Sequence, residues 1–334
     1  MPLLCKGIMK ELSIGKVKLD NPVILAPMAG VTNYAYRRLL KEFGCSLVVT
    51  EMISDHGLIY DNDETKTMLY TKDEIPLSVQ LFGGDKENLV KATKILCENY
   101  KFDILDLNMG CPVPKVVKGN SGSSWLKEDR QEELYETVKA VVEASTKPVT
   151  VKIRLGWDET SVTAEKTCEI LEKAGVSMIA IHGRTRSQFY AGKATFDIIK
   201  KCKENSNIPI IANGDINSID DAIKVLDYTG CDGVMIGRGA LGNPNLIKQL
   251  VTYFKTGERL PDSTLEEQVS YCKKHFEYLM ELKGEYRANA EMRGLASHYF
   301  KGFEGAKNYR GKLSQCKTKN EFMAIMDEIL DQNK

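Results

Sequence analysis

The chain has 334 residues, more than one compact core usually organises, and that length suits a barrel of about 250 residues with a smaller appended domain. Hydrophobic residues make up 43% and charged residues 28%, which excludes a disordered chain. Lysine plus arginine equals aspartate plus glutamate at 46 each, so net charge argues neither for nor against a polyanionic partner.

Along the chain, short apolar runs rich in β-formers alternate with segments of helical period. Strands are expected over 23–25, 47–51, 77–81, 104–108, 149–154, 178–182, 208–213 and 233–236. Helices are expected between them over 34–43, 88–99, 130–144, 164–174, 196–205 and 218–226. Eight such units predict an α/β fold of the (β/α)8 TIM-barrel type over residues 1–256. After the turn-rich segment 257–263 the strand pattern stops, and helices are expected over 265–283, 287–301 and 320–330. Ser263 is the expected cap of the first, with Glu266 three residues on. Residues 257–334 therefore read as an all-helical C-terminal domain.

The strand ends carry the polar and glycine residues: Pro27-Met28-Ala29-Gly30, Gln80, Asn108 to Cys111, Lys152, Arg154, His182-Gly183-Arg184, Asn213-Gly214-Asp215 and Gly237-Arg238. In a (β/α)8 barrel these ends open on one face, where active sites lie. Gly237-Arg238-Gly239-Ala240-Leu241-Gly242 matches the Gly-x-Gly-x-x-Gly fingerprint, but no further strand ending in an acid follows, as a dinucleotide fold would require. As the loop after strand eight it suits a phosphate site, and a plain glycine turn with a surface arginine is the alternative. Alternation in Thr150-Val151-Lys152-Ile153-Arg154 turns Lys152 and Arg154 to one side, where a cation could face a reduced flavin or pair across barrel strands. His182 and Gln80 can each hydrogen-bond a heterocycle or satisfy the core.

Cys111 stands in Asn108-Met109-Gly110-Cys111-Pro112, a tight loop past strand four. A thiol with a pKa of about 8.5 is mostly protonated at neutral pH, which suits an acid; a small buried hydrophobe is the other reading. The other eight of the nine cysteines are scattered without a Cys-x-x-Cys pair, and there are only four histidines, so neither a metal site nor a disulfide framework is expected. The start Met1-Pro2-Leu3-Leu4-Cys5-Lys6 has no apolar leader, and no run reaches the ~18 apolar residues of a membrane span, so a cytoplasmic protein is expected. From Arg287 to Lys319 there are eight lysines and arginines against Glu291 and Glu304, with Tyr299, Phe300, Phe303 and Tyr309 interleaved. That mixture can hold phosphates and stack on bases, or it can be a solvated face over an aromatic core.

Taken together, Ala26-Pro27-Met28-Ala29-Gly30-Val31-Thr32-Asn33, Ser78-Val79-Gln80-Leu81-Phe82-Gly83, Asn108-Met109-Gly110-Cys111-Pro112, Val151-Lys152-Ile153-Arg154, Ile181-His182-Gly183-Arg184-Thr185, Asn213-Gly214-Asp215 and Gly237-Arg238-Gly239 resemble the tRNA-dihydrouridine synthases, and most of all the bacterial DusB branch. The resemblance implies reduction of the C5=C6 bond of uridines in tRNA, with FMN as cofactor and NADPH as reductant. It implies that Pro27, Met28, Ala29, Gln80, Lys152 and His182 surround the flavin, and that Asn213, Gly214, Asp215, Gly237 and Arg238 hold its phosphate end. It makes Cys111 the acid that protonates C5, with Asn108 and Arg154 as candidate uracil contacts and the helical domain gripping RNA.

Overall fold

The computed structural model describes residues 11–331; Cys5 and the start of the chain lie outside them. An antiparallel hairpin, β1 (Leu12–Ile14) and β2 (Val17–Leu19), leads into eight parallel strands. These are β3 (Val23–Leu25), β4 (Val48–Ser54), β5 (Leu77–Phe82), β6 (Ile104–Met109), β7 (Val149–Arg154), β8 (Met178–His182), β9 (Ile210–Asn213) and β10 (Gly233–Ile236). They pair in the order β3-β10-β9-β8-β7-β6-β5-β4. A bridge from Ile24 to Leu47, with Leu25 N donating to Leu47 O at 2.9 Å, joins the two ends and closes the cylinder. The eight expected strands are all present, and the TIM barrel is the fold.

Period-two alternation divides the core. Val149, Val151 and Ile153 of β7 face outward with Leu105, Leu107, Ile179 and Ile181. Inside, Ile24, Leu47, Ile104, Met178, Ile211 and Met235 pack with Leu12, Ile14 and Leu19 of the hairpin. A Cβ on Gly15 of that hairpin would lie 2.8 Å from Pro148, just ahead of β7, so the hairpin seals the amino-terminal end. Each fully buried leucine or isoleucine there contributes about 1.5–3 kcal/mol. The apolar plug leaves the polar interior residues at the opposite, carboxyl ends of the strands.

The outer helices are α1 (Tyr34–Glu42), α2 (Asp55–Ile59), α3 (Asp63–Met68), α4 (Lys86–Asn99), α5 (Pro114–Lys118), α6 (Gln131–Ala144), α7 (Ala164–Lys173), α8 (Asp197–Glu204), α9 (Ile219–Thr229) and α10 (Asn245–Thr256). After them come α11 (Leu265–Leu295), α12 (Ala306–Gln315) and α13 (Lys319–Asp331). The break expected after residue 283 is at Gly284, whose φ of 75° and ψ of 164° interrupt α11. The cap falls one residue later than expected. Thr264 Oγ1 accepts Glu267 N at 3.3 Å and the Glu267 carboxylate accepts Thr264 N at 2.9 Å. Both Ser263 and Thr264 have a glutamate three residues on, and the Thr264 register is the one that buries Leu265 in the first turn.

Aromatic side chains dock the helical segment on the barrel. Tyr36 of α1 donates to Ala240 O at 2.6 Å and its ring lies 5.1 Å from that of His275, whose Nδ1 is 3.1 Å from Tyr299 Oη. Burial holds His275 down at about 3, so it stays neutral in this seam. The third glycine of the fingerprint sits at the same junction. Gly242 has φ 71°, and a Cβ there would lie 2.3 Å from the carbonyl carbon of His298. Gly242→Ala should therefore cost about 3 kcal/mol in denaturant unfolding. Gly311→Ala in α12, with nothing within 4 Å, should be neutral or slightly stabilising.

Candidate active site at the barrel mouth

Polar side chains from adjacent strands meet in register across the mouth. Asp106 on β6 is buried, and its carboxylate accepts Thr150 Oγ1 at 2.5 Å and Gln80 Nε2 at 2.7 Å. Burial pushes its pKa up, while those two bonds and the Lys152 charge pull it back. Gln80 Oε1 accepts Asn108 Nδ2 at 2.9 Å. Asn108 Oδ1 in turn accepts Cys111 N at 2.9 Å and Gly110 N at 3.2 Å. The order of these bonds follows the strand pairing, which sets Gln80 beside Asp106 and Asn108 beside Lys152.

Cys111 is held on both sides: Cys111 O accepts Ser123 N at 3.0 Å, and Gly122 packs so closely that a Cβ there would lie 2.7 Å from that oxygen. The thiol is half-buried, and burial raises its pKa against the opposing pull of the Val113 backbone and the Arg154 and Lys152 charges. It is therefore a protonated acid at neutral pH. Arg154 donates to Gly110 O at 2.9 Å, Thr185 O at 2.9 Å and Phe189 O at 2.7 Å. Its guanidinium thus ties the loop holding Cys111 to the loop after β8, and burial lowers its pKa to about 10. Cys45, Cys168, Cys202, Cys231, Cys272 and Cys316 are buried, as expected of structural thiols.

Lys152 Nζ donates to Asn213 Oδ1 at 3.0 Å, and Asn213 Nδ2 donates to Met235 O at 2.7 Å. Burial and the neighbouring Arg154 bring Lys152 down to about 8. Burial, then the charges of Lys152, Arg154, Arg184 and Arg238, push His182 far below the usual imidazole range, so it is a neutral ring. Arg184, buried, donates to Asp215 at 2.7 Å and to Gly192 O at 2.8 Å, with His182 Nε2 3.3 Å away. Asp215 also accepts Ala194 N at 2.8 Å and faces Arg238 at 3.5 Å. Its carboxylate thus orients two guanidiniums.

The loop after β3 is set by Thr32, whose Oγ1 accepts Met28 N at 3.1 Å; Thr32 O accepts Arg37 at 2.8 Å. Arg37 forms a fully buried ion pair with Glu74 at 2.7 Å. Pro27, Met28 and Ala29 follow β3 beside Gly237, where a Cβ would be 3.9 Å from Met28 Sδ. A Cβ on Gly237 would be in ordinary contact, 3.6 Å from Ala26 Cβ, whereas Gly214, at φ 123°, leaves no space: a Cβ would lie 2.8 Å from Ala194 and 3.1 Å from His182. A neutral imidazole, a lysine cation, two glycine backbones and the half-exposed Arg238 form a donor set that fits an anionic cofactor with a heterocyclic ring. The sequence brought most of these residues forward. It gave no role to Asp106, Arg184 or the Arg37 and Glu74 pair; for Asp106 the signal was an acid inside an otherwise apolar strand run.

The basic stretch divides. Arg287, Arg293, Lys301, Lys307, Arg310, Lys317 and Lys319 are exposed, but Tyr299, Phe300 and Tyr309 are buried. Base stacking by those three aromatics is corrected: the C-terminal helices bury them in the core they share with the barrel, and the cations face outward. Tyr286, beside Arg287, is 83% exposed instead. Among the described residues, no helix is long and apolar enough to cross a membrane.

The family model described as "Dihydrouridine synthase (Dus)" matches residues 24–334. A probable tRNA-dihydrouridine synthase of Rickettsia conorii is 38% identical over 322 residues, covering 96% of this chain and 96% of its own length. The tRNA-dihydrouridine synthase B of Shewanella oneidensis is 37% identical, covering 96% and 99%. Among solved structures, an old yellow enzyme homologue from Zymomonas mobilis aligns with a TM-score of 0.56 at 11% identity, over 78% of this chain and 96% of its own. Histamine dehydrogenase from Rhizobium sp. 4-9 aligns at 0.57 and 13%, over 82% of this chain and 51% of its own. These two likenesses are of fold. The extent of the family match, together with the ordered polar residues at the mouth, shows that the chain belongs to the dihydrouridine synthase family.

Proposed function

We propose that this chain is an FMN-dependent tRNA-dihydrouridine synthase that reduces the C5=C6 bond of uridines in tRNA at the expense of NADPH. The observation that carries it is a thiol kept protonated by burial, at the rim of a mouth whose other side is a cation and glycine cradle. When bound, FMN reduced by NADPH supplies hydride to C6 of the uracil.

The chain's own residues do the rest. Lys152 would hold positive charge beside a bound flavin, and Gln80 and neutral His182 would offer hydrogen bonds to its ring system. Asn213, Gly214, Gly237 and Arg238 form the phosphate end, with Asp215 acting through Arg184 and Arg238 rather than on the phosphate, since like charges repel. Hydride addition at C6 builds negative charge at C5 and O4; Cys111 donates its proton to C5. Asn108 and Arg154 border that position and are the proposed uracil contacts, Arg154 also fixing the Gly110 carbonyl beside the thiol.

A uracil stacked inside folded tRNA must be extruded to reach such a mouth, and the unstacking costs a few kcal/mol. The exposed cations of residues 257–331 are proposed to offset that cost by binding phosphates. Arg293→Glu with Arg310→Glu should weaken tRNA binding about tenfold or more at low salt and flatten its salt dependence, measured by filter binding. The function itself is tested in a host stripped of its own dihydrouridine synthases. Expression of this chain should restore dihydrouridine at one or more tRNA positions, and tRNA that stays free of it would refute the proposal.

A further inference from the structure

We propose that Asp106 is a positioning residue that sets the direction of a two-amide hydrogen-bond chain ending on the backbone of Cys111. The inference rests on the reading of Cys111 as the acid. Asp106 is not bonded to Cys111; it is buried beneath the polar side chains of the mouth, 3% exposed, and reaches them through Gln80.

An ionised carboxylate only accepts hydrogen bonds, and both partners of Asp106 are donors: Thr150 Oγ1 at 2.5 Å and Gln80 Nε2 at 2.7 Å. Burial pushes the Asp106 pKa up, and the bonds from Thr150 and Gln80, with the Lys152 charge one strand over, oppose it in favour of the ionised form. With its NH2 end committed to Asp106, Gln80 must turn Oε1 toward Asn108, as it does at 2.9 Å. Asn108 must then donate from Nδ2, which leaves Oδ1 as the acceptor for Cys111 N at 2.9 Å and Gly110 N at 3.2 Å. An amide looks nearly symmetric in shape, so packing alone does not choose between its two orientations. The carboxylate does, and the choice passes through two residues to the loop.

The consequence of losing the charge follows bond by bond. In Asp106→Asn, a Thr150 hydroxyl that goes on donating as it does to the carboxylate holds the new amide oxygen, and the new NH2 faces the NH2 of Gln80. Gln80 turns over to relieve two opposed donors, and Asn108 turns over in response. Its NH2 end then faces the N–H groups of Gly110 and Cys111, which lose their acceptor. The thiol loop, still tethered through Gly110 O, Cys111 O and Arg154, loosens at its amino-terminal side.

The test is the alkylation rate of Cys111 by iodoacetamide, followed by mass spectrometry at fixed pH on the flavin-loaded protein. This readout does not depend on turnover. Asp106→Asn should speed alkylation about tenfold, the factor corresponding to about 1.4 kcal/mol, at the low end for the two part-buried donors, Gly110 N and Cys111 N, that lose their acceptor. Asn108→Ala should do the same, and the double variant should be no faster than Asn108→Ala alone, because both act on one chain. Asp106→Asn combined with Gln80→Glu reverses the first bond while preserving the rest: the introduced amide donates to the introduced carboxylate, which still accepts from Asn108. Alkylation in that variant should return to within about threefold of the parent rate. If Asp106→Asn alone fails to fold, recovery of folding and of the slow rate in the exchange variant still supports the chain. An unchanged rate in Asp106→Asn, which a Thr150 hydroxyl turned to accept would give, additive effects of Asp106→Asn and Asn108→Ala, or no recovery in the exchange variant overturns it. A parent protein that makes no dihydrouridine would instead count against Cys111 as the acid, leaving the alkylation result to stand by itself.

Discussion

Cys111→Ala should retain FMN and its reduction by NADPH at near-parental levels, yet form dihydrouridine at least about 100-fold more slowly, the usual contribution of a positioned general acid. The half-buried thiol is raised in pKa by its surroundings, so it is present as S–H over the neutral range and its loss removes the proton directly. Cys111→Ser separates acidity from shape. A serine hydroxyl fits the same loop, bounded by Ser123 N and Gly122, but holds its proton far more tightly. It should therefore be nearly as slow as alanine. Rapid-mixing measurements of flavin reduction and of its reoxidation by tRNA read the two halves separately; a slow reductive half in Cys111→Ala would place the residue elsewhere in the reaction.

Lys152 gives the second large effect, and that effect depends on pH. Its pKa lies near 8, below the ordinary lysine value, so the side chain is charged below pH 8 and neutral above. A cation needed beside a reduced, anionic flavin is thus lost as pH rises through about 8, and affinity for reduced FMN should fall over that interval. In Lys152→Met the affinity should be about tenfold or more weaker at pH 7 and show no such inflection, the scale of one charge-assisted contact. Stability moves the opposite way. The unfolded chain keeps the lysine protonated up to about 10.4, so the cost of burying the charge is present below pH 8 and relieved as pH climbs from 8 toward 10.4. The flavin-free parent should gain thermal stability over that window relative to Lys152→Met. Equal slopes in the two proteins would mean that Lys152 is not the group with the lowered pKa.

Much of this molecule could be read from residue order because parallel strands bury both faces and end in conspicuous polar residues. Eight runs such as 104–108 and 149–154 stood out for that reason, and the alternation of Lys152 and Arg154 against Val151 and Ile153 placed both inside the barrel. The hairpin of β1 and β2 escaped because three-residue strands barely exceed one period. α12 escaped because glycines at 305 and 311 and a mostly polar composition hide its face. The aromatics at 299, 300 and 309 were ambiguous because the same residues that stack on bases also build small cores. Asp106 and Arg184 were hidden for a different reason: their importance lies in what they orient, which depends on register across strands rather than on neighbours in sequence.

The most direct test uses purified protein loaded with FMN, NADPH, and tRNA isolated from cells that make no dihydrouridine. Nucleoside mass spectrometry should show uridine gaining two hydrogens at defined tRNA positions, with free uridine and uridine monophosphate left unreduced and no product when Cys111 is replaced by alanine. Flavin-loaded protein that oxidises NADPH but leaves every uridine of the tRNA intact would contradict the account.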